Sequence, residues 1–189
     1  SQGDNNAEVA QDCWFMRLNA DGSVDASFGQ NGSRVVSLGA TSDLVNSIAI
    51  GTDGYINAVA PRTVQGGQRV CIIRLTPSGA LDTGFNSGGT FCEMAGTGNT
   101  HSAVGLVLRD DGSMLVALQS TGYYVAAVRT DGTLDPAFGN NGLATVPMIG
   151  AGGIFRSIDQ LPDGRIVVMG YRPSAPFEFH LTRLLANGS

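Results

Sequence analysis

Arginine and aspartate recur at similar spacings along this sequence, and such pairs could line a pocket or form ion pairs. The recurring positions are Arg17, Arg74, Arg129 and Arg183, with Asp25, Asp82 and Asp135. The first two arginines lie eight residues before their aspartates, whereas the third lies six before. Residues that return in every copy more often hold structure than perform chemistry. We therefore expect each pair to be a bidentate clamp between a strand and the connector that follows it.

Candidates for enzymatic chemistry are few. The two histidines, His101 and His180, have no Ser, Cys or carboxylate at a spacing that predicts a catalytic triad. Glu93 and Glu178 could act as acids, but paired carboxylates are recognised by geometry and not by spacing. We predict no catalytic residue. A glycosidase-like or lyase-like enzyme that uses Glu93, His101 or Glu178 is a distant alternative.

The cysteines and the acidic turns predict neither a metal nor a cofactor. The spacing of Cys13, Cys71 and Cys92 matches no zinc or redox motif. Cys71 and Cys92 could form a disulfide in an oxidising compartment, or all three could be small buried hydrophobic residues. The stretches "NADGSVD" and "RTDGTLD" are similar to calcium loops but lack the distal Glu of an EF-hand, and Asp-rich turns explain them without an ion.

Two sets of glycines mark an internal repeat. Gly22, Gly79, Gly132 and Gly188 are separated by 57, 53 and 56 residues, and Gly54, Gly112 and Gly164 in a second turn are separated by 58 and 52. Two markers that keep the same order predict a true repeat. We place the copies at about 23–79, 80–132 and 133–188. One extra final strand precedes them at 13–18, a polar tail covers 1–12, and the repeat domain as a whole covers 13–189.

Each copy is predicted to contain four strands. An Asp-Gly turn joins two of them in a hairpin, a third, almost continuously apolar strand follows the hairpin, and a fourth, such as "SRVVSL", precedes it. No stretch has helical periodicity, so the sequence predicts an all-β, β-propeller-like array of about three four-stranded antiparallel blades. Connectors join successive blades, and we expect their phenylalanines, Phe28, Phe85 and Phe138, to fill the seams between blades.

The connector and the hairpin turn resemble the bacterial delta-60 repeat, a β-propeller-like repeat of uncharacterised function. The pattern of that family is approximately "R-L-N-x-D-G-S-L-D-x-x-F-G-x-x-G", followed by "Q-x-D-G-K-I-V-V-x-G". This chain has "RLNADGSVDASFGQNG" and "QLPDGRIVVMG", and departs from the pattern at Ser78 and Asn86. The resemblance implies a secreted or cell-surface bacterial repeat protein and supplies no catalytic residue.

Aromatic residues are weak candidates for ligand binding. They are Trp14, Tyr123, Tyr124, Tyr171 and Phe177, on or near the final strands and the loops that lead to them. Aromatic rims of propellers can stack on sugars, although most such residues fill seams. The segment "YRPSAPFEF" differs most from its counterparts, and variable loops on a fixed scaffold are where specificity usually lies.

Composition and charge narrow the possible partners. Charged residues make up only 14% of the chain, the net charge is −5, and the sequence contains no run of basic residues. This argues against nucleic acid and anionic membranes as partners, and no apolar window is long enough for a transmembrane helix. We predict a secreted, periplasmic or cell-surface module that is not an enzyme and binds an unidentified protein or glycan. A carbohydrate-binding propeller lectin is the alternative.

The count of strands bears on assembly. A ring that uses its N-terminal strand to complete the last blade should lack a final strand at its C-terminus. This chain has one final strand before three complete copies, which is one final strand too many for such a ring. Three blades are also fewer than the four or more of closed propellers. We therefore expect either a segment of a longer array or a homodimer that completes a six-bladed ring.

Overall fold

The computed structural model describes residues 12–39, 45–64, 67–92, 102–147, 153–173 and 176–189. These residues contain β-strands and turns and no helix. The strands are β1 Cys13–Met16, β2 Ser33–Val36, β3 Ser47–Ile50, β4 Ile56–Val64, β5 Gly67–Leu75, β6 Thr90–Phe91, β7 Ser102–Leu108, β8 Met114–Gln119, β9 Tyr123–Val128, β10 Leu143–Thr145, β11 Ile154–Gln160, β12 Ile166–Arg172 and β13 Glu178–Leu184.

Four antiparallel sheets follow one another along the chain. The first is a two-stranded partial sheet, β1-β2, and the next two are complete blades with the orders β3-β4-β5-β6 (blade A) and β7-β8-β9-β10 (blade B). The last, β11-β12-β13 (blade C), has three strands among the described residues. The prediction of an all-β array of four-stranded blades is confirmed.

The position of one strand in each unit differs from the prediction. The strand expected to open a unit closes the preceding one: β2 pairs with β1, β6 with β5 and β10 with β9. The reason is the connector, which turns back on the strand it leaves. Arg17 N–H donates to Gly32 O at 3.1 Å, and Asp25 N–H donates to Arg17 O at 3.0 Å, so the chain returns beside its own strand.

The core lies between the sheets in three layers. One apolar cluster joins the partial sheet to blade A, a second joins blade A to blade B, and a third joins blade B to blade C. In β5, Val70 and Ile72 point toward blade B, while Cys71 and Ile73 point toward the partial sheet. Both faces of this strand are therefore covered, which explains its continuous apolar sequence. The first strands of the blades, β3, β7 and β11, lie side by side.

A phenylalanine from each connector fills each seam. Phe28, Phe85 and Phe138 are buried, and each ring lies against the glycine of the next turn. A Cβ added to Gly79 would lie 2.9 Å from the Phe28 ring, and one added to Gly188 would lie 2.8 Å from the Phe138 ring. The backbone N–H after each phenylalanine donates to the residue before that glycine, in the pairs Gly29–Ser78, Asn86–Asp131 and Gly139–Asn187 at 2.8, 2.7 and 2.8 Å.

An arginine covers each of these rings. The guanidinium carbon of Arg17 lies 5.0 Å from the Phe28 ring centre, and that of Arg74 lies 5.8 Å from the Phe85 centre. Arg17 Nη1 donates to Pro77 O, and Arg74 Nη1 donates to Thr130 O at 2.9 Å. These arginines therefore join their own blade to the turn of the next one.

The expected Arg–Asp clamps form ion pairs, but they are not bidentate. Arg17 Nε lies 2.7 Å from Asp25 Oδ2, while its Nη2 donates to Ser27 instead. The Nε–Oδ distance from Arg74 to Asp82 is 3.2 Å. In both arginines Nη1 donates to the adjacent turn, while Nη2 faces another oxygen, that of Ser27 for Arg17 and that of Asp53 for Arg74, so only Nε is directed at the connector aspartate.

Arg129 does not occupy the clamp position. The clamp position is defined by its backbone carbonyl, which accepts the N–H of the connector aspartate, in the pairs Asp25–Arg17, Asp82–Arg74 and Asp135–Ala127. Arg129 lies two residues later in the turn, where it forms a partly exposed ion pair with Asp135 at 3.2 Å. Arg109, which follows β7, supplies the missing cation: it lies 5.7 Å from the Phe138 ring centre, and its Nη2 lies 3.5 Å from Ala186 O.

We predict that Gly79→Ala destabilises the protein more than Gly22→Ala. Both glycines have a φ of +84°, so both substitutions carry the same backbone strain of about 1–2 kcal/mol. Only Gly79 faces a ring, and moving that ring should add about 1–3 kcal/mol. Urea unfolding of the two variants measures the difference, and equal midpoints would contradict the role of the Phe28 contact.

We also predict that Arg109→Ala costs more stability than Arg129→Ala. Loss of the Arg109 contact with the Phe138 ring should lower the free energy of unfolding by about 1 kcal/mol. The partly exposed ion pair of Arg129 should contribute less than about 0.5 kcal/mol. Chemical denaturation of both variants provides the comparison. A larger loss for Arg129→Ala would show that the cation over the ring is unimportant.

Candidate binding surfaces

Two of the five aromatic candidates lie together at the end of blade C. The rings of Tyr171 and Phe177 stack with centres 5.1 Å apart and an interplanar angle of 29°. Phe179 meets Phe177 edge to face at 5.1 Å. Arg156 lies 5.2 Å from the Tyr171 ring centre, and its Nη2 donates to the Tyr171 hydroxyl at 2.9 Å. Tyr171 and Phe177 were predicted from the sequence, but Phe179 was not, because in the sequence it is one of several apolar residues in a predicted strand.

The register of β12 and β13 places these aromatic residues on one sheet face. Tyr171 pairs with Phe179, and Met169 pairs with Leu181, so the four side chains share the outer face of blade C. Phe179 is 76% exposed and Leu181 is 70% exposed. We call the surface formed by Met169, Tyr171, Phe177, Phe179 and Leu181 the C-terminal face.

The other three aromatic candidates lie elsewhere. Tyr123 is half-buried between blades B and C, where its hydroxyl donates to Gly153 O at 2.7 Å and its ring meets Phe155 edge-on. Tyr124 packs against the core between blades A and B. Trp14 is 58% exposed on β1, at the opposite end of the array. The five residues therefore do not form one site, and the two tyrosines of β9 serve the seams.

A cleft lies between the Asp-Gly turns that end the first strands of blades A and B. It has a volume of 510 Å³, and its polar lining includes Asp53, Asp110, Asp111, Arg74 and Arg109. A neighbouring cleft of 570 Å³ between blades B and C shares Arg109, Asp110 and Asp111. Sequence reasoning assigned these aspartates to turns and did not foresee that consecutive turns would meet around one opening.

The charges in the first cleft are partly balanced within it. Hydrogen bonds from the Ser113 hydroxyl and backbone N–H lower the pKa of Asp111, so this carboxylate stays ionised near neutral pH. Asp53 Oδ2 lies 3.7 Å from Arg74 Nη2. Asn57 lines the same cleft and is buried, and its Oδ1 has no hydrogen-bond partner among the described residues. Such a lining can accept hydrogen bonds from hydroxyl or amino groups.

Of the three residues considered for catalysis, the structure describes Glu178. Glu93 and His101 lie outside the described residues. Glu178 Oε2 lies 3.0 Å from Arg172 Nη2, which balances its charge within blade C, and 3.6 Å from His180 Nε2. Across the described ranges, no three His, Cys, Asp or Glu side chains are grouped as metal ligands would be.

The cysteines considered for a disulfide are joined. The sulfur atoms of Cys71 and Cys92 are bonded, linking β5 to the residue that follows β6 in blade A. Cys13 is buried in the core between the partial sheet and blade A. The described part of the chain holds no helix with the length and apolar character needed to cross a membrane.

A family model agrees with this architecture. Residues 15–28, 53–85 and 161–189 match the model of a family described as a domain of unknown function (DUF5122) beta-propeller. A search of curated proteins gives no match. A crystal structure of a protein of unknown function from Bacteroides caccae matches with 16% identity and a TM-score of 0.47, covering 83% of this chain and 46% of that one. The chain thus spans less than half the length of that solved protein. The family match and the sheet order together identify the chain as a β-propeller-like repeat protein.

Proposed function

We propose that this chain is a non-enzymatic interaction module that binds a protein partner through its C-terminal face. The observation that carries the proposal is the exposure of Phe179 and Leu181 beside the Tyr171–Phe177 stack. Contiguous exposed apolar surfaces of this kind mark interaction sites more often than single exposed residues do. Aromatic residues and Met are also enriched in the cores of protein interfaces.

The neighbouring blade B supports the proposal that the C-terminal face is an interaction surface. Blade B presents Tyr123, Val125 and Ala127 on the equivalent side of β9, and all three pack against blade C. In blade C the equivalent positions are Phe179, Leu181 and Arg183, and all three are exposed. A partner that covers this face would therefore occupy the place that blade C occupies on blade B.

Arg183 indicates the polar chemistry of such a partner. It directly precedes the last residue of β13, as Arg74 directly precedes the last residue of β5. Arg74 donates to a turn carbonyl of the next blade and pairs with a connector aspartate. A partner that offers Arg183 a carbonyl or carboxylate oxygen would reproduce this arrangement.

A second copy of the chain is one such partner. The partial sheet at the other end exposes Trp14, Met16 and Val35, which form a complementary apolar face. Two copies that join end to end would cover apolar faces at both ends of each chain. Because each chain contributes four sheets, the closed ring that we propose for this dimer has eight sheets instead of the six blades expected from the sequence.

The proposed location is outside the cytoplasm. The Cys71–Cys92 disulfide supports it, because structural disulfides persist mainly in oxidising compartments. The resemblance of the connectors to delta-60 repeats points in the same direction. The ion pair of Glu178 with Arg172 favours a structural role for this carboxylate over an acid–base role.

Glycan binding is the second candidate, and the aromatic stack favours it. The Tyr171 ring has a hydroxyl that Arg156 orients, and exposed aromatic faces can pack on the apolar faces of sugar rings. In this reading the C-terminal face is a lectin site, and Phe177 and Tyr171 are its platform.

We predict concentration-dependent dimerisation of the chain. Light scattering over a dilution series should show a mass that rises from 19.5 kDa toward twice that value. Leu181→Ser should keep the protein monomeric at concentrations where the parent chain dimerises, because it removes apolar area from the C-terminal face. Leu185→Ser is the matched control, since Leu185 is also exposed but lies in the turn after β13. A single monomeric mass at all concentrations would rule out a second copy as the partner.

We also predict the behaviour of the aromatic stack on a panel of defined oligosaccharides. If the stack binds a glycan, Tyr171→Ala should abolish a signal that the parent chain gives, because it removes one of the two stacked rings. Trp14→Ala should leave that signal unchanged, because Trp14 is also aromatic and is exposed but lies on β1, away from the stack. No signal from the parent chain, or a signal that survives Tyr171→Ala, would contradict glycan binding at this face.

A further inference from the structure

The turn after β1 has the same shape as three turns that each receive a phenylalanine. In all four turns the glycine N–H donates to the residue three positions earlier, in the pairs Gly22–Asn19, Gly79–Thr76, Gly132–Arg129 and Gly188–Leu185. The φ angles of these glycines lie between +84° and +85°. The backbone of the turn at 19–22 is therefore already arranged as a receiving site.

Unlike the others, the first turn receives no ring from the described residues. Gly79, Gly132 and Gly188 are buried, and each faces a connector phenylalanine. Gly22 is exposed, and an added Cβ would meet no described atom within 4 Å. In the filled turns, two carbonyls accept hydrogen bonds from the preceding blade, those of Pro77 and Ser78 in the first case. Their counterparts in the first turn are the carbonyls of Ala20 and Asp21.

The sheet face beside this turn is the receiving half of a seam as well. In blade A, Cys71, Ile73 and Leu75 of β5 point toward the partial sheet and are fully buried. Trp14, Met16 and Leu18 occupy the same positions relative to their glycine, and all three are exposed. The turn and the sheet face therefore lack the same neighbour.

We propose that the surface formed by Trp14, Met16, Leu18 and the turn at 19–22 binds a further repeat of the same type, through a connector with the pattern Asp-x-x-Phe-Gly. The phenylalanine ring packs against Gly22, and the N–H of the next residue donates to Asp21 O. An arginine over the ring donates to Ala20 O. The seams of Phe28 and Phe85 show each of these contacts.

The occupant is not one of the connectors described here. Phe28, Phe85 and Phe138 are all buried within this chain, so none is available to fill the turn of another copy. The inference deepens the proposed function, because it names the chemistry that the opposite end of the array recognises. A second copy joined through its C-terminal face would cover the same surface but would bring no connector phenylalanine to Gly22, so a further repeat and a second copy are alternative occupants of this surface.

The decisive experiment extends the chain by a copy of its own repeat. A second copy of residues 102–177 is placed directly before Asp12, so that β1 follows an added hairpin as β13 follows β12. The connector phenylalanine of the added copy then faces Gly22. Trp14 is the only tryptophan, and the added segment brings none, so acrylamide quenching of its fluorescence reports on this seam alone.

We expect the quenching constant of Trp14 to fall severalfold in the extended chain. Phe138→Ala in the added copy only should restore much of the quenching. Gly22→Ala should destabilise the extended chain more than it destabilises the parent chain, since only the former has a ring at this position. An extended chain that folds, as judged by circular dichroism and cooperative unfolding, but leaves Trp14 quenched as in the parent would overturn the proposal.

A second measurement covers the case in which the extended chain does not fold. The synthetic peptide Val128–Gly142 is titrated to millimolar concentration into the isotope-labelled Leu181→Ser variant, which we expect to be monomeric, and the amide resonances of residues 19–22 are followed. The expected result is a saturable shift of the Gly22 amide that the Phe138→Ala peptide does not produce. Absence of a shift, or equal shifts with both peptides, would also overturn the proposal. The titration uses the Leu181→Ser variant and the quenching is compared at a concentration where the parent chain is monomeric, so a failure here is separate from a failure of dimerisation through the C-terminal face.

Discussion

The architecture depends on one contact, the phenylalanine ring that each connector places against a glycine of the next turn. Burying such a ring stabilises the seam by about 1.5–3 kcal/mol, and only a residue without a Cβ leaves room for it. The same glycine holds a positive φ that the turn requires. One position thus meets a local and a long-range demand, which explains why Gly79, Gly132 and Gly188 recur together with Phe28, Phe85 and Phe138. The arginine above each ring adds a cation and a hydrogen bond that crosses the seam.

This contact also fixes the order of the strands. The connector must reach sideways to the next blade with its phenylalanine and still return to its own blade. It does so through backbone hydrogen bonds to the strand it left, such as Asp82 N–H to Arg74 O at 3.0 Å. The strand after the connector is then already beside the final strand of the same blade. The partial sheet and blades A and B consequently end with the strand that follows their connector, β2, β6 and β10.

Much of the fold was accessible from sequence, because it rests on local chemistry. Alternating apolar residues around Asp-Gly turns predicted the hairpins, and the spacing of the glycines predicted the repeat. The pairing of β2, β6 and β10 could not be predicted from the sequence. Each of these strands lies between a connector and the next hairpin, and its sequence pattern is the same whether it pairs with the blade before it or the blade after it. The role of Arg109 was missed for a related reason. The position that holds Arg17 and Arg74 in the other units holds Ala127 here, and only the packing of blades B and C shows that Arg109 covers the Phe138 ring from a different strand.

The aromatic candidates show how far the binding site could be predicted from the sequence. Sequence reasoning grouped Tyr123 and Tyr171 as similar rim residues, although one closes a seam and the other lies on the C-terminal face. The difference is not in the residues but in whether another blade covers them. In a repeat array most internal faces are buried by a neighbour, so most of the exposed large apolar side chains lie on or beside the first and last sheets, with Ile48 and Ile50 of β3 as exceptions. Binding chemistry in this chain is therefore expected at the ends of the array, where the same side chains that build a seam inside the molecule are presented to a partner.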